Sequence, residues 1–223
     1  MHHVVSIKRC SLAVVLAIAV LLSPTIGFAQ LGGLPVPTPT PIPIPIPIPT
    51  TTTTSSVLGS ASAVSSTVLG FTTVLGGTGT LSGVNDARDA SMTAGSLPSI
   101  LTAETLSAAT IGWPDQVYST ASLTNLNITA AGIGITADSV MAEASQIAGS
   151  AGTGSSSFSN LSIAGVPINV TGAPNQVVGI LGGVVTINEQ TISPTGAAVV
   201  NALHVTIAGV ADLVVASATA GIS

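Results

Sequence analysis

A run from Pro35 to Pro49, in which every second residue is proline, restricts the fold of this chain more than any other feature. Each proline fixes its own φ at about −65° and biases the residue before it toward extended geometry. The run therefore predicts a polyproline II-like spacer without internal hydrogen bonds. At about 3.1 Å per residue it would span roughly 45 Å.

An export signal is predicted directly in front of this spacer. Residues 1–29 begin with a short basic stretch, continue into an apolar core from Leu12 to Leu22 and finish on small residues at Gly27 and Ala29. This pattern predicts cleavage after Ala29. The apolar core is too short for a comfortable membrane span. We therefore expect a mature chain without an integral membrane span, either secreted or displayed at the cell surface.

The rest of the chain divides into two regions by composition. Residues 30–56 are rich in Pro and Thr and are predicted to be a disordered, polyproline II-like spacer. Residues 57–223 have a steadier composition of Ala, Val, Ile, Leu, Thr, Ser and Gly, and are long enough for one domain with its own core. Because aromatic residues are scarce in this domain, we expect a core of small aliphatic side chains.

Charge and cysteine content exclude several classes of partner and site. After removal of the signal, Arg88 is the only basic Lys or Arg side chain left against eight carboxylates. Nucleic acids and anionic membrane surfaces are therefore not expected as partners, because both need clustered basic residues. The single cysteine, Cys10, lies inside the predicted signal, so neither disulfides nor cysteine metal sites are expected in the mature chain.

The second half of the domain carries hairpin patterns. Short β-branched runs flank turns predicted at Ala164-Gly165, Gly182-Gly183 and Ala208-Gly209. We expect the first of these hairpins to run from Asn160 to Val170. We also expect the chain from Asn160 onward to be almost wholly antiparallel strand.

Alternation along one of these strands predicts a buried face. The apolar residues Leu203, Val205 and Ile207 alternate with His204 and Thr206, which places the apolar set on one side of a sheet.

Strands are also predicted in the first half, although alanine and serine blur the periodicity there. Residues 123–130 and 133–141 read as strands around a turn at Ala131-Gly132. Residues 138–147 also fit helix spacing, but flanking β-branched residues favour strand. We therefore predict an all-β fold, an antiparallel β-sandwich or barrel-like domain built from hairpins. A β-solenoid is the alternative, although no exact repeat of the usual length is visible.

Residues that could support catalysis are sparse. His204 is the only histidine outside the predicted signal, and we expect it to be a structural residue on a sheet face. A Ser-His-Asp triad with Asp212 is formally conceivable, but the chain has no G-x-S-x-G elbow. We predict no catalytic residues, no cofactor and no metal site.

The acidic residues are expected to act locally. Asp86 and Asp89 could form a weak calcium loop, but a turn paired with Arg88 is favoured. Glu189 is expected in a turn that hydrogen-bonds its own backbone. For Asp89, Glu104 and Asp138 we expect roles in turns and hydrogen-bond networks and not in catalysis, because none has a matched acid, base or metal partner nearby in sequence.

A resemblance to a known family is densest in residues 87–91, 101–104, 135–138, 163–170, 187–190, 201–205 and 211–218. On these segments, and across nearly all of residues 57–223, the domain resembles the bacterial choice-of-anchor P family of exported proteins. The resemblance implies one β-rich extracellular domain that has no assigned activity. Anchored members continue into a C-terminal sorting signal. Because this chain ends at Ser223 without such a signal, the proline run is the expected stalk.

Together these features predict a non-catalytic exported or cell-surface domain with a structural or adhesive role at the bacterial envelope. Its expected partner is a component of the envelope or of the extracellular matrix. The alternative is an extracellular carbohydrate-binding or polysaccharide-acting module. For that alternative, Trp113 and Tyr118 are the candidate ligand platform, because exposed aromatic rings commonly bind sugars and these two are close in sequence.

Overall fold

The computed structural model describes residues 56–130 and 132–223, so the predicted signal, its cleavage point and nearly all of the predicted spacer lie outside it. The described residues form thirteen β-strands. In chain order the strands are β1 (Val57–Val68), β2 (Phe71–Gly77), β3 (Ala87–Leu97), β4 (Leu101–Gly112), β5 (Gln116–Ala130), β6 (Ile133–Ile147), β7 (Thr153–Ser159), β8 (Ser162–Ile163), β9 (Val166–Pro167), β10 (Gln176–Ile180), β11 (Gly183–Ile192), β12 (Ala198–Ile207) and β13 (Ala211–Ile222).

The strands form two antiparallel sheets. The first sheet has the order β10-β11-β12-β13-β1-β2, and the second has the order β3-β4-β5-β6-β8-β9, with β7 also paired to β6. Strands β1, β12 and β13 of the first sheet pack over β4, β5 and β6 of the second. Two open sheets packed face to face form a β-sandwich, which confirms the predicted all-β hairpin fold. The two sheets neither close into a barrel nor form a solenoid. Within the described residues, no helix is long and apolar enough to cross a membrane.

Alternating burial explains why these segments are strands. The apolar residues Leu203, Val205 and Ile207 are buried, while His204 and Thr206 lie on the opposite face, as the alternation predicts. Residues 138–147 belong to strand β6, which confirms strand over helix. Alanine, valine, leucine and isoleucine make up the core, as expected from the shortage of aromatic residues.

Most predicted turns are found, with one shift. Ala164-Gly165 joins β8 to β9, and β5 and β6 flank residues 131–132. The β12–β13 turn is one residue longer than predicted and includes Val210. The turn predicted at Gly182-Gly183 instead uses Leu181-Gly182. The reason is that Gly182 takes the positive φ of 74°, whereas Gly183 begins β11, where a Cβ would collide with the backbone oxygen of Thr206.

The prediction of almost continuous strand from Asn160 onward is wrong for residues 168–175 and for the shorter loop at residues 193–197. Strands β8 and β9 have two residues each, and residues 168–175 contain no strand. Pro167 ends β9, and one further backbone hydrogen bond, from the Ile168 N–H to the Leu161 carbonyl at 2.8 Å, follows before the loop. Side chains support the loop instead: Gln176 Oε1 accepts from the Thr171 N–H at 2.9 Å, and Asn188 Nδ2 donates to the Gly172 carbonyl at 3.0 Å.

The sandwich has two distinct ends. At the terminal end, the Ser56 N–H donates to the Ser223 carbonyl at 2.9 Å, and the Ser223 N–H donates back at 3.0 Å. At the opposite end of the first sheet, three hairpin turns lie side by side, and we call this the turn end. The Leu69 N–H donates to the Val210 carbonyl at 3.2 Å, and the Ala208 N–H donates to the Gly182 carbonyl at 3.1 Å. Strand β1 separates the two ends by roughly 35 Å.

Candidate functional site

A polar network lies on the outer face of the first sheet, across β11, β12 and β13. The strand register creates it, because Asn201 of β12 lies opposite both Glu189 of β11 and Ser217 of β13. His204 also projects from β12 on this face, and Asp212 of β13 lies opposite Thr206. The network therefore consists of residues that are distant in sequence and adjacent in the sheet.

His204 is held between two carboxylates. Its Nδ1 lies 2.9 Å from Glu189 Oε2, and its Nε2 lies 3.1 Å from Asp212 Oδ2. The same Glu189 oxygen accepts a hydrogen bond from Asn201 Nδ2 at 2.6 Å, and Ser217 Oγ donates to Asn201 Oδ1 at 2.7 Å. Because both ring nitrogens face acceptors, the doubly protonated imidazolium is the favoured form of this ring.

The pKa of His204 is raised above its ordinary value. Burial alone lowers the pKa of this ring, but its hydrogen bonds to Glu189 and Asp212, together with the negative charges of these carboxylates, raise it by more. His204 is a strand residue on a sheet face, as predicted. The expectation for Glu189 is wrong, because Glu189 lies within β11 and its side chain bonds to β12. Asn188 has a positive φ of 53°, which interrupts the alternation of side chains along β11. As a result Ile187 and Asn188 are both buried, and the Glu189 side chain points outward.

The arrangement differs from a Ser-His-Asp triad. In a triad one ring nitrogen contacts the acid while the other accepts the proton of the serine. Here both nitrogens contact acids, and the hydroxyl nearest to Nε2 belongs to Thr206 at 3.4 Å. Ser217 bonds to Asn201 instead. The geometry is that of a cross-strand ion-pair cluster.

Stability should depend on pH through His204. Because the folded pKa is raised above the unfolded value, the ring's contribution is fully present below about pH 6.5 and is lost as the pH rises through the folded pKa. We expect the free energy of unfolding of the wild type to fall by on the order of 1 kcal/mol between about pH 6 and pH 9, relative to His204→Gln. Urea unfolding of both proteins at each pH measures this difference. Parallel pH profiles for the two proteins would contradict it.

The two predicted platform residues lie in different surroundings. Tyr118 lies on the outer face of β5, where its hydroxyl donates to Glu143 Oε1 at 2.8 Å. Burial and this hydrogen bond raise the pKa of Tyr118. A groove beside Tyr118 is lined by Glu143, Ser145 and Thr153 and does not include Trp113. Trp113 lies in the loop after β4 and is 39% exposed.

The loop acids form local contacts. Asp86 Oδ2 accepts hydrogen bonds from the N–H and Oγ of Ser82, each at 2.8 Å, and from Arg88 Nε at 3.0 Å. The Ser82 N–H, followed by the Ser82 hydroxyl and Arg88, lowers the pKa of Asp86 to about 2. This confirms the predicted pairing of Asp86 with Arg88. In the described residues, no group of three or more His, Cys, Asp or Glu side chains is arranged to hold a metal ion.

Two further acids accept hydrogen bonds from asparagines that adopt left-handed backbone conformations. Glu104 Oε2 accepts from Asn125 Nδ2 at 2.7 Å, and Asp138 Oδ2 accepts from Asn160 Nδ2 at 2.6 Å. Both asparagines have positive φ angles, 48° and 53°. The two carboxylates therefore take part in hydrogen-bond networks at irregular backbone, as predicted for them. Asp89, for which the same role was predicted, lies instead at an exposed position within strand β3 and not in a turn.

Three regions stand out as candidates on the described surface: the His204 network, the groove beside Tyr118 and the apolar turn end. The network is built from cross-strand contacts and the groove from β5, β6 and β7. The turn end is built from hairpin loops of the first sheet. Comparison of the chain with protein-family models, with curated proteins and with solved structures finds no significant match.

Proposed function

We propose that this chain is a non-catalytic exported domain with a structural or adhesive role at the bacterial envelope, as the resemblance to the choice-of-anchor P family implies. One observation supports it most. The chain enters the domain at Ser56, at the terminal end, whereas the exposed apolar turns of the first sheet lie at the opposite end. A spacer joined at Ser56 would leave the turn end free to meet a partner.

The turn end exposes apolar side chains where turns usually carry polar ones. Leu69 is 74% exposed, Leu181 is 80% exposed and Val210 is 51% exposed. Leu69 also has a φ of 47°, a left-handed conformation that favours Gly, Asn or Asp. A leucine there is costly both for the backbone and for solvation. Such an outlier is typical of a surface that is kept for contact with a partner.

Charge limits what that partner can be. The domain carries eight carboxylates and Arg88 as its only Lys or Arg, so an anionic surface would be repelled. Within the turns themselves the exposed side chains of Leu69, Leu181 and Val210 are apolar, and the exposed carboxylate of Asp212 follows two residues after Val210. The proposed partner is therefore an uncharged or apolar component of the envelope or of the extracellular matrix.

Binding to isolated envelope fractions tests this proposal. The paired substitution Leu181→Asn and Val210→Asn is expected to reduce the bound fraction of the exported chain about tenfold, because it removes the apolar contact. Leu58→Asn with Ile192→Asn is the matched control, since these two exposed apolar residues lie toward the terminal end. Equal loss of binding in both variants would contradict a role for the turn end.

Export itself is tested by intact mass. We expect the recovered protein to be a species that begins at Gln30, which corresponds to cleavage after Ala29. Recovery from the medium alone would leave the spacer as a passive linker, whereas recovery from the envelope fraction supports the surface role. An uncleaved chain in the envelope would contradict the predicted processing.

The groove beside Tyr118 favours a second function, that of a carbohydrate-binding module. An aromatic ring there adjoins the Glu143 carboxylate and the hydroxyl-bearing residues Ser145 and Thr153, which is the kind of lining that sugars use. A Tyr118→Ala variant should then no longer bind the envelope polysaccharide that the wild-type protein binds. Intrinsic fluorescence of Trp113 and Tyr118, titrated with a polysaccharide panel, measures it. If no polysaccharide changes the fluorescence, the carbohydrate-binding function is contradicted and the structural or adhesive role is favoured.

A further inference from the structure

Most sheet edges of this domain are protected against pairing with another strand. Strand β3 carries Arg88 and Asp89, and β9 has two residues and ends on Pro167. On β7, the Gly154 carbonyl accepts a hydrogen bond from Gln190 Nε2 of the first sheet at 3.0 Å. Charges, proline, short length and covering groups are the usual means by which proteins block edge pairing.

Strand β2 is an edge with none of these protections. It pairs with β1 on one side and is the last strand of the first sheet. It has seven residues, FTTVLGG, without charge or proline. Phe71 is 81% exposed, and Val74 is 53% exposed. The other end strand of this sheet, β10, is shorter, with five residues.

The turn before β2 determines which of its backbone groups face outward. Leu69 and Gly70 have φ angles of 47° and 85°, as in a two-residue type I′ turn. In such a hairpin the flanking residues Val68 and Phe71 bond to each other, and the direction of the bonds then alternates along the strand. Thr72 and Val74 therefore direct their N–H and C=O groups toward the free edge.

We propose that β2 pairs with the β2 strand of a second copy of this chain, in antiparallel orientation, to form a two-fold symmetric dimer. An axis at Thr73 places Thr72 opposite Val74 of the partner subunit, so that their outward N–H and C=O groups bond to each other. Phe71 then lies opposite Leu75 of the partner subunit, a favourable aromatic–aliphatic pair. The two six-stranded sheets become one continuous sheet.

Charge favours a second copy as the occupant of this edge. Copies of so acidic a domain repel each other over most of their surfaces. Neither β2 nor the adjacent β1 carries a charged side chain. In the register, the carboxylate of Asp212 lies opposite Thr67 of β1, one strand further into the sheet. Edge pairing through β2 is therefore a route by which two copies can meet without opposing carboxylates.

Antiparallel pairing has a consequence for the two chains. Each chain enters its domain at the terminal end, so the two chains would enter the dimer from opposite sides. Such a dimer would connect the two sites at which its two chains are attached. This inference is independent of the proposed function, since it depends on the edge and not on what the turn end contacts.

Cysteine cross-linking tests the register directly. Cys10 is the only cysteine in the chain, so a Cys10→Ser background makes an introduced thiol unique. Thr73→Cys is expected to form a disulfide-linked dimer about tenfold faster than Ser91→Cys, the matched control on the exposed edge strand β3, because the axis brings the two positions 73 together. The exported chain is used for both, with mild oxidation and non-reducing gels as the readout.

Sedimentation of the unmodified chain completes the test. Wild type is expected to sediment as a dimer and Val74→Pro as a folded monomer, because proline removes an N–H that the monomer leaves free. Circular dichroism confirms that Val74→Pro remains folded, and Val74→Lys serves as a second variant if it does not. A monomeric wild type, a dimer that persists in the folded variant, or equal cross-linking at positions 73 and 91 would each overturn the proposal.

Discussion

Gln146→Leu is expected to lower the free energy of unfolding by about 3 kcal/mol, because it leaves several buried polar groups without partners. The Gln146 side chain is 3% exposed. Its Oε1 accepts from the Ile222 N–H at 2.9 Å, and its Nε2 donates to the Ser150 carbonyl at 2.9 Å and to the Thr195 carbonyl at 3.2 Å. One amide thus joins β6 to the last residue of β13 and to two loops.

Urea unfolding measures this effect, and two further variants separate its causes. Gln116→Leu is the control, a half-buried glutamine on β5, and should change stability by less than about 0.5 kcal/mol. Gln146→Glu retains an acceptor for the Ile222 N–H but faces two carbonyls with a carboxylate, so it should be destabilised further as the pH rises. If Gln146→Leu were as mild as Gln116→Leu, the buried amide would not be important for stability.

Gly154→Ala is expected to destabilise the domain by about 3 kcal/mol, through overpacking between the sheets. A Cβ at this position on β7 would collide with a side-chain methyl of Val200 on β12 and would lie 3.0 Å from the Glu143 carbonyl. Val200 is fully buried, so it has little room to move away. The glycine allows β7 to pack closely against the first sheet.

A double-mutant cycle tests this explanation. Val200→Ala alone should also destabilise, by about 2 kcal/mol, because it leaves a cavity. The double variant should be more stable than the sum of the single effects predicts, by at least about 1 kcal/mol, since the new methyl group fills that cavity. Gly179→Ala on β10 is the control, because no atom lies within 4 Å of its added Cβ. Simple additivity in the cycle would contradict the proposed collision.

The fold class could be predicted because its signals are local. Alternation of Leu203, Val205 and Ile207 with polar residues determines which face of β12 is buried, whatever the neighbouring strand is. The turn at Ala164-Gly165 follows from the same short-range chemistry, since both residues take positive φ angles there. The errors have longer-range causes: residues 168–175 form a loop to which Asn188 of β11 donates a hydrogen bond, and Gly183 lies in a strand against the backbone of Thr206 on β12.

The candidate sites could not be predicted in the same way, because they depend on strand order. The sequence by itself determined an all-β domain with a small-aliphatic core, and it identified His204 as the one histidine outside the predicted signal. Only the tertiary structure placed β13 beside β1, which brings Val57 opposite Ile222 and puts Ser56 and Ser223 at the end of the first sheet that lies opposite the apolar turns. It alone placed Glu189 and Asp212 on either side of His204. The physical reason is that register between distant strands is decided by the packing of the whole sheet, for which no short stretch of sequence carries a signal.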